Sequence, residues 1–215
     1  MGIRNPVELI RKLNCNWLHG SGRVLLIGVV SMVLVFSCAI GGFSVLGTRA
    51  ALPGEFLWNS NVPVVHLFSR WDAGWYWQIT LNGYPLGSSL SPNWAWLPLY
   101  PVSMGLLGSL FSGFLAPLNA VLVAGFLISN ALFFVSLFFF YELSKIVLSS
   151  SRLALISTLF FSFWPGSLFY SAVYSENMFM AFALGAFYFL EKELLGSRRF
   201  WGFWRVLRAV MVFWC

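Results

Sequence analysis

Long uncharged apolar runs separated by short polar stretches dominate the pattern of this sequence. The first runs from Val24 to Leu46 and is long enough to cross a bilayer as a helix. Four more lie at about residues 97–115, 120–141, 153–171 and 177–190. Apolar runs of this length are typical of membrane helices, so the pattern predicts an all-α, multi-pass membrane protein.

The stretch between the first two apolar runs, residues 47–96, is much longer than a simple connector. Loops of this length inside a compact protein are usually functional. Within it, the segment from Arg70 to Asn82 predicts a short helix that ends at Gly83. The aromatic side chains of this segment are typical of a helix that lies at the membrane interface.

Basic residues suggest how the chain is divided. Residues 1–23 are predicted to be a basic cytoplasmic N-terminus, residues 24–192 the transmembrane region with residues 47–96 as its extracytoplasmic loop, and residues 193–215 a basic tail with the start of a possible further span. We interpret the first apolar run as an anchor that is retained. The net charge of +6 comes from loops and tails, where it sets membrane orientation and does not predict nucleic-acid binding.

Charge placement leaves two arrangements open. If the N-terminus is inside and all five apolar segments cross, the basic tail lies outside, against the positive-inside tendency. If residues 97–118 are instead re-entrant, the link at residues 142–152 and the tail both return inside. We favour this second arrangement, which places Asp72 and Glu176 on the same outer face.

Asp72 is the only aspartate of the chain. Its spacing from Ser69 matches a capping box, in which Ser69 is the N-cap and the carboxylate supports the first turn of the helix. A second interpretation uses the same helix start as a phosphate site, with Arg70 as a bidentate donor. Asp72 would then accept a proton from an acceptor hydroxyl. Spacing alone leaves both interpretations open.

A second polar cluster follows the Pro165-Gly166 interruption of an apolar segment. A carboxylate such as Glu176 is costly in apolar surroundings unless it is paired, hydrogen-bonded or wet. Glu176 either begins the last helix, with Ser175 near its cap, or lines with Tyr174 a polar cavity shared with the loop helix. Both alternatives stay open.

Two further features have simple interpretations beside functional ones. The aromatics of residues 93–101 (NWAWLPLYP) either anchor at the interface or flank a lipid tail or sugar ring. His66 is expected to be a loop hydrogen-bonding residue. The sequence contains no HExxH, CxxC or glycine-rich phosphate motif, so it predicts neither a metal site nor a cofactor.

Three motifs together resemble the PIG-V-type mannosyltransferase family. Residues 70–76 (RWDAGWY) with Gly83-Tyr84 resemble its first outer loop, residues 95–101 (AWLPLYP) its aromatic-Pro-Leu-x-Pro element, and the segment from Pro165 to Phe179 its later Tyr-Ser-Glu segment. Their order and spacing agree over about residues 25–192.

This resemblance implies a GT-C fold and an inverting transfer of a hexose, expected to be mannose, on the extracytoplasmic face. The donor would be a polyprenyl-phosphate sugar, typically dolichyl-phosphate mannose in eukaryotes, and the acceptor a hydroxyl of a lipid or glycan. Asp72 would be the catalytic base. The expected substrate-binding residues are Arg70, at the donor phosphate, and Trp75, Tyr76, Tyr174 and Glu176.

The resemblance also implies a multi-pass location in a bacterial inner membrane or the endoplasmic reticulum. Family members of this type are usually about twice as long, so the chain resembles their N-terminal half. The alternative is therefore a non-catalytic or truncated membrane subunit that works with a partner subunit.

Overall fold

The protein is described by a computed structural model over residues 6–46, 61–84 and 95–194. Within these ranges all regular secondary structure is helical. The other parts of the predicted outer loop and most of the tail predicted from residue 193 onward lie outside the described residues.

The structure describes eight α-helices in these ranges. They are α1 (Pro6–Leu46), α2 (Pro63–Phe68), α3 (Ala73–Asn82), α4 (Leu99–Gly108), α5 (Pro117–Leu148), α6 (Ser151–Ser162), α7 (Leu168–Ser171) and α8 (Glu176–Leu194). Short 3-10 turns at Ser109–Phe111 and Pro165–Ser167 extend α4 and precede α7.

Two of the described helices are long and apolar enough to cross a membrane, Gly20–Val45 of α1 and Pro117–Leu148. A third candidate consists of α6 and the segment Pro165–Ser171, which together pass the same test but are bent by 65° at a short break. The predicted all-α membrane protein is therefore confirmed, and the break predicted at Pro165-Gly166 is present.

The prediction that residues 142–152 link two apolar segments is wrong in part. Glu142 and Lys145 lie inside α5, which continues to Leu148, and their side chains form an ion pair of 2.8 Å. The helix ends where Ser149 takes a left-handed conformation with φ of 49°. Local pairing lets the helix keep these charges, because the ion pair offsets part of the cost of burying the carboxylate.

Two helices, α1 and α6, lie beside α5. Near the start of the α1 span, Gly20 faces Tyr141 of α5. Near its end, the rings of Phe36 and Phe126 lie 5.8 Å apart, so α1 and α5 are antiparallel. The α6 helix packs beside α1, where the Ser31 hydroxyl donates to the Ser162 carbonyl at 2.7 Å.

The last described helix, α8, runs parallel to α5. Its first turn contacts the middle of α5, where Asn177 donates to the Ser129 carbonyl at 2.7 Å. Further along, the rings of Phe139 and Tyr188 lie 5.7 Å apart. The N-terminal half of α5 is thereby left to pack against α2, α3 and α4.

The short helix α4 rests on this half of α5. With its 3-10 extension it covers Leu99–Phe111 and is about 20 Å long, less than the roughly 30 Å of a bilayer core. Gly108 allows the close approach, because a Cβ there would lie 3.3 Å from the Val121 Cα. The core at this end contains the buried side chains of Tyr76, Tyr100 and Met104.

Candidate active site

The loop helix starts later than the sequence predicts. It begins at Ala73, with Asp72 at the N-cap position, and it ends before Gly83, whose φ is 73°. The capping box is wrong: Ser69 follows α2 instead, and its hydroxyl donates to the Val65 carbonyl. The Asp72 side chain makes no capping hydrogen bond either.

The residue before Asp72 has an unusual backbone conformation. Trp71 has a φ of 47°, a left-handed conformation that costs free energy for a bulky residue. Such conformations persist where the surrounding structure determines them. No hydrogen bond from the described residues reaches the Asp72 carboxylate. It is therefore available as an acceptor.

Arg70 contacts His66 instead of Asp72. The Arg70 Nη2 lies 2.9 Å from the His66 Nε2, one helical turn apart in sequence. Since a guanidinium only donates, this contact requires the ring nitrogen of His66 to be the acceptor. Among the described residues Arg70 and Asp72 form no ion pair. His66 is thus a hydrogen-bonding residue, as expected, although it lies in α2 and not in an irregular loop.

The second polar cluster meets the loop helix through the segment that links α7 and α8. We call residues 172–175 the linking turn. Its Val173 backbone N–H donates to the Phe68 carbonyl at 2.9 Å. The Tyr174 hydroxyl donates to the Arg70 carbonyl at 3.2 Å, across 104 residues of sequence. Two distant motifs therefore form one site.

Tyr76 forms a second connection between the same two elements. Its hydroxyl lies 2.6 Å from the Ser175 Oγ. Its ring packs edge-on against Trp96 and Tyr100, with centroids 5.2 Å and 4.9 Å away. Burial raises the pKa of Tyr76 to about 12, so its hydroxyl stays protonated near neutral pH.

Asp72 and Glu176 share this electrostatic environment. Burial raises the pKa of the Asp72 carboxyl above its usual 3.8. Glu176 begins α8, as one sequence interpretation expects, and is exposed to solvent. Burial raises its pKa as well, and the charge of Asp72 adds to the increase. The Asp72 carboxyl therefore lies close enough to Glu176 to affect its protonation.

Aromatic side chains and a cleft border the site. Trp75 is half-buried and stacks on Trp96, with ring centroids 6.5 Å apart. Trp71 is 64% exposed. Beside it lies a small cleft lined by Leu67, Phe68, Arg70, Trp71, Leu168, Phe169, Ala172 and Tyr174. Arg70 thus borders this cleft.

A larger apolar groove lies next to this cleft, between α1 and the break before α7. Its lining includes Leu34, Cys38 and Pro165, and it shares Leu168 with the cleft beside Arg70. No group of three or more metal-ligating side chains occurs among the residues that the structure describes. The site is thus built of carboxylates, phenols, one guanidinium and indoles.

Sequence reasoning gave no role to two residues of the site, Ser129 on α5 and Asn177 of the second polar cluster. Ser129 and Asn177 are both fully buried, and they hydrogen-bond the linking turn and its flanks. The available signal was a Ser-Asn pair at positions 129–130 in the middle of an otherwise apolar helix. Polar residues inside membrane helices often bond to irregular backbone nearby.

These features define the class of protein: a multi-pass helical membrane protein whose candidate site joins a loop helix to the turn before its last described helix. The sequence profile of the family described as Mannosyltransferase (PIG-V) matches residues 49–212. Because this match covers most of the chain, the chain belongs to the PIG-V mannosyltransferase family, a family of glycosyltransferases. The resemblance of the three motifs is thereby confirmed.

The individual relatives are longer proteins. The chain is 26% identical over 149 residues to GPI mannosyltransferase 2 of Schizosaccharomyces pombe. The aligned residues make up 68% of this chain and 30% of the relative. It is 36% identical over 90 residues to GPI mannosyltransferase pigv-1 of Caenorhabditis elegans, covering 38% of this chain and 13% of the relative. The chain therefore spans less than a third of either relative. No solved structure matches it.

Proposed function

We propose that this protein is a GT-C type glycosyltransferase that transfers mannose, with inversion, from a polyprenyl phosphate to a hydroxyl acceptor. The observation that carries the proposal is that no described residue hydrogen-bonds the Asp72 carboxylate, which follows two residues after Arg70, a residue that lines the cleft. The family match and the names of the relatives support mannose as the sugar.

In the reaction we propose, the acceptor oxygen attacks the anomeric carbon of the sugar. A new C–O bond forms there while the bond between the anomeric carbon and the phosphate oxygen breaks, and the phosphate leaves with the electron pair. The Asp72 carboxylate accepts the acceptor's proton. Its raised pKa makes it a stronger base than an ordinary aspartate, which suits this role.

Arg70 is the proposed partner of the donor phosphate. Its guanidinium is not neutralised by an ion pair among the described residues and borders the cleft. Charge-assisted bonds from arginine to phosphate are strong and directional. The groove that shares Leu168 with this cleft is apolar, so a polyprenyl chain placed there would leave its phosphate near Arg70.

The remaining site residues are proposed to shape the sugar and acceptor subsites. Trp75 offers an aromatic face, and the hydroxyls of Tyr76 and Tyr174 stay protonated because burial raises the pKa of each. Glu176 is proposed to accept hydrogen bonds from sugar hydroxyls. Since the relatives are named GPI mannosyltransferases, we propose a glycosylphosphatidylinositol precursor as acceptor and the lumenal face of the endoplasmic reticulum as location.

The test replaces Asp72 by Asn and measures mannosyl transfer from polyprenyl-phosphate mannose in isolated membranes. We expect a loss of about 10²- to 10⁴-fold, the usual contribution of a general base. Glu191→Gln is the matched control, because it also removes one negative charge but lies far along α8. Equal membrane levels of all variants are required, and transfer by Asp72→Asn at the rate of the Glu191→Gln control would contradict the proposal.

A further inference from the structure

The linking turn is irregular backbone in apolar surroundings. Residues 172–175 connect α7 to α8 and are not helical, and Ala172, Val173 and Tyr174 are all buried. Backbone groups in such a place need partners from the protein, since water does not reach them. The side chains that supply these partners therefore determine where the turn lies.

Ser129 of α5 supplies one of them. It is completely buried, and its hydroxyl donates to the Tyr174 carbonyl at 2.8 Å. The same oxygen lies 2.7 Å from the Tyr100 hydroxyl. The Tyr100 hydroxyl also donates to the Gly125 carbonyl at 3.0 Å, so the two hydroxyls share two protons among three contacts and either one can be the donor between them. Ser129 thus connects α4, α5 and the turn.

Asn177 holds the other side of the turn. It is 1% exposed, and its amide nitrogen donates both to the Ser129 carbonyl, at 2.7 Å, and to the Tyr170 carbonyl. Both amide protons are therefore used. These bonds tie the first turn of α8 to α5 and to α7.

The linking turn also holds the loop that carries Asp72. Both bonds involve Tyr174: its carbonyl accepts from Ser129 of α5, and its hydroxyl donates to the Arg70 carbonyl. Arg70 lies two residues before Asp72, and its carbonyl also accepts the first N–H of α3 at 3.2 Å. Tyr174 therefore bridges a buried anchor on α5 and the start of the loop helix.

We propose that Ser129 and Asn177 are positioning residues: they fix the linking turn on α5 so that Tyr174 sets the position of Asp72. The inference rests on the proposed function for the role of Asp72, but the placement itself is independent of activity. A shift of about 1 Å in a reacting group can cost about 100-fold in rate. Neither residue touches substrate in this proposal.

The first test measures how well the backbone of the loop is protected from hydrogen exchange, and it does not use activity. Hydrogen exchange of the full chain in lipid nanodiscs is compared for Ser129→Ala and Ser136→Ala, reading peptides that cover residues 70–76 and 172–177. Ser136 is the matched control, because it is equally buried on the same face of α5 but donates only to the Asn177 carbonyl, at 3.3 Å. We expect roughly fivefold or faster exchange in Ser129→Ala alone, the effect of one lost hydrogen bond.

The second test separates positioning from loss of fold. In the transfer assay, Ser129→Ala is expected to lower kcat by about 10- to 100-fold with little change in KM, while Ser136→Ala retains the parent kcat. Combined with Tyr174→Phe, Ser129→Ala should add little further loss, because both act through the same bridge. If Ser129→Ala does not insert stably, Asn177→Leu is used with the same expected outcome, since it has a similar size, loses both donors and adds no buried charge.

The outcomes distinguish the two proposals. A parent chain that transfers no mannose overturns the proposed function, while the exchange measurement still decides the positioning role. An active parent in which Ser129→Ala matches Ser136→Ala in both exchange and kcat overturns the positioning role alone. Faster exchange of residues 70–76 in both variants would also overturn it, because Ser136 bonds Asn177 and not Tyr174, and the effect would then be general to the helix.

Discussion

At the scale of residues, the site depends on polar groups whose partners are supplied by distant parts of the chain. The Tyr174 hydroxyl and the Arg70 carbonyl are 104 residues apart in sequence, and Tyr76 and Ser175 are 99 apart. These bonds occupy the phenols and leave the Asp72 carboxylate without a hydrogen bond from the described residues. A carboxylate in that state, with a raised pKa, is suited to accept a proton.

The first prediction concerns the pH dependence of transfer. Burial raises the pKa of Asp72 above 3.8, and a base acts only when it is deprotonated. We therefore expect kcat to fall as the pH drops through a value above 3.8 and to be constant on the alkaline side of it. The measurement is a pH–rate profile at saturating donor.

The control for this profile is Glu176→Gln. The pKa of Glu176 is also raised, so this carboxyl is the other candidate for the acid limb. If the limb belongs to Asp72, it persists in Glu176→Gln. Loss of the limb in that variant would instead assign it to Glu176, and a parent rate that is unchanged down to about pH 4 would contradict a base with a raised pKa.

At the scale of elements, small residues decide how closely α1 approaches α5. A Cβ at Gly28 would lie 2.6 Å from a ring carbon of Phe134 and 2.8 Å from a methyl carbon of Leu137. By contrast, Gly41 has open space where its Cβ would be. Glycines at the contact face let membrane helices pack closely, so the two positions differ in role although both lie in α1.

This difference predicts opposite effects of the same substitution. Gly28→Ala is expected to destabilise the protein by about 1–3 kcal/mol, the usual cost of overpacking. Gly41→Ala should be neutral or should stabilise α1 by up to about 1 kcal/mol through helix propensity. Thermal unfolding in detergent micelles compares them. Equal melting temperatures for the two variants would show that α1 does not pack against α5 as described.

At the scale of the whole molecule, the alternating helix directions separate two ends. One end contains the loop helix, the linking turn and Asp72, while the other contains Tyr141, the Glu142–Lys145 ion pair and the turn at Ser149. The short helix α4 lies beside the first of these ends and is too short to cross a bilayer by itself. This packing favours the arrangement in which residues 97–118 do not cross.

The resulting topology can be tested by cysteine labelling. In a background without the native cysteines, Ser150→Cys and Trp71→Cys are each exposed to a membrane-impermeant maleimide in sealed microsomes. Trp71 is exposed on the candidate-site end, and Ser150 lies in the turn between α5 and α6 at the other end. We expect Ser150→Cys to react in intact vesicles and Trp71→Cys only after permeabilisation. Labelling of both in intact vesicles would contradict the separation of the two ends.

What the sequence determines by itself is the local part of this protein. Of the five apolar runs, two form membrane-length helices and a third forms a bent pair, while the predicted end of the loop helix at Gly83 and the break at Pro165 are both present. Each of these follows from neighbouring residues, through side-chain transfer to lipid or backbone geometry. The family motifs are equally local, and they led to the correct family.

Only the tertiary structure decides how the site is assembled. The loop helix starts at Ala73 and not at Arg70, since Tyr174 and Val173 bind the backbone just before it. The roles of Ser129 and Asn177 likewise depend on which helix lies beside the linking turn. Local patterns contain no information on such pairings, because they depend on packing between segments that are far apart in the chain.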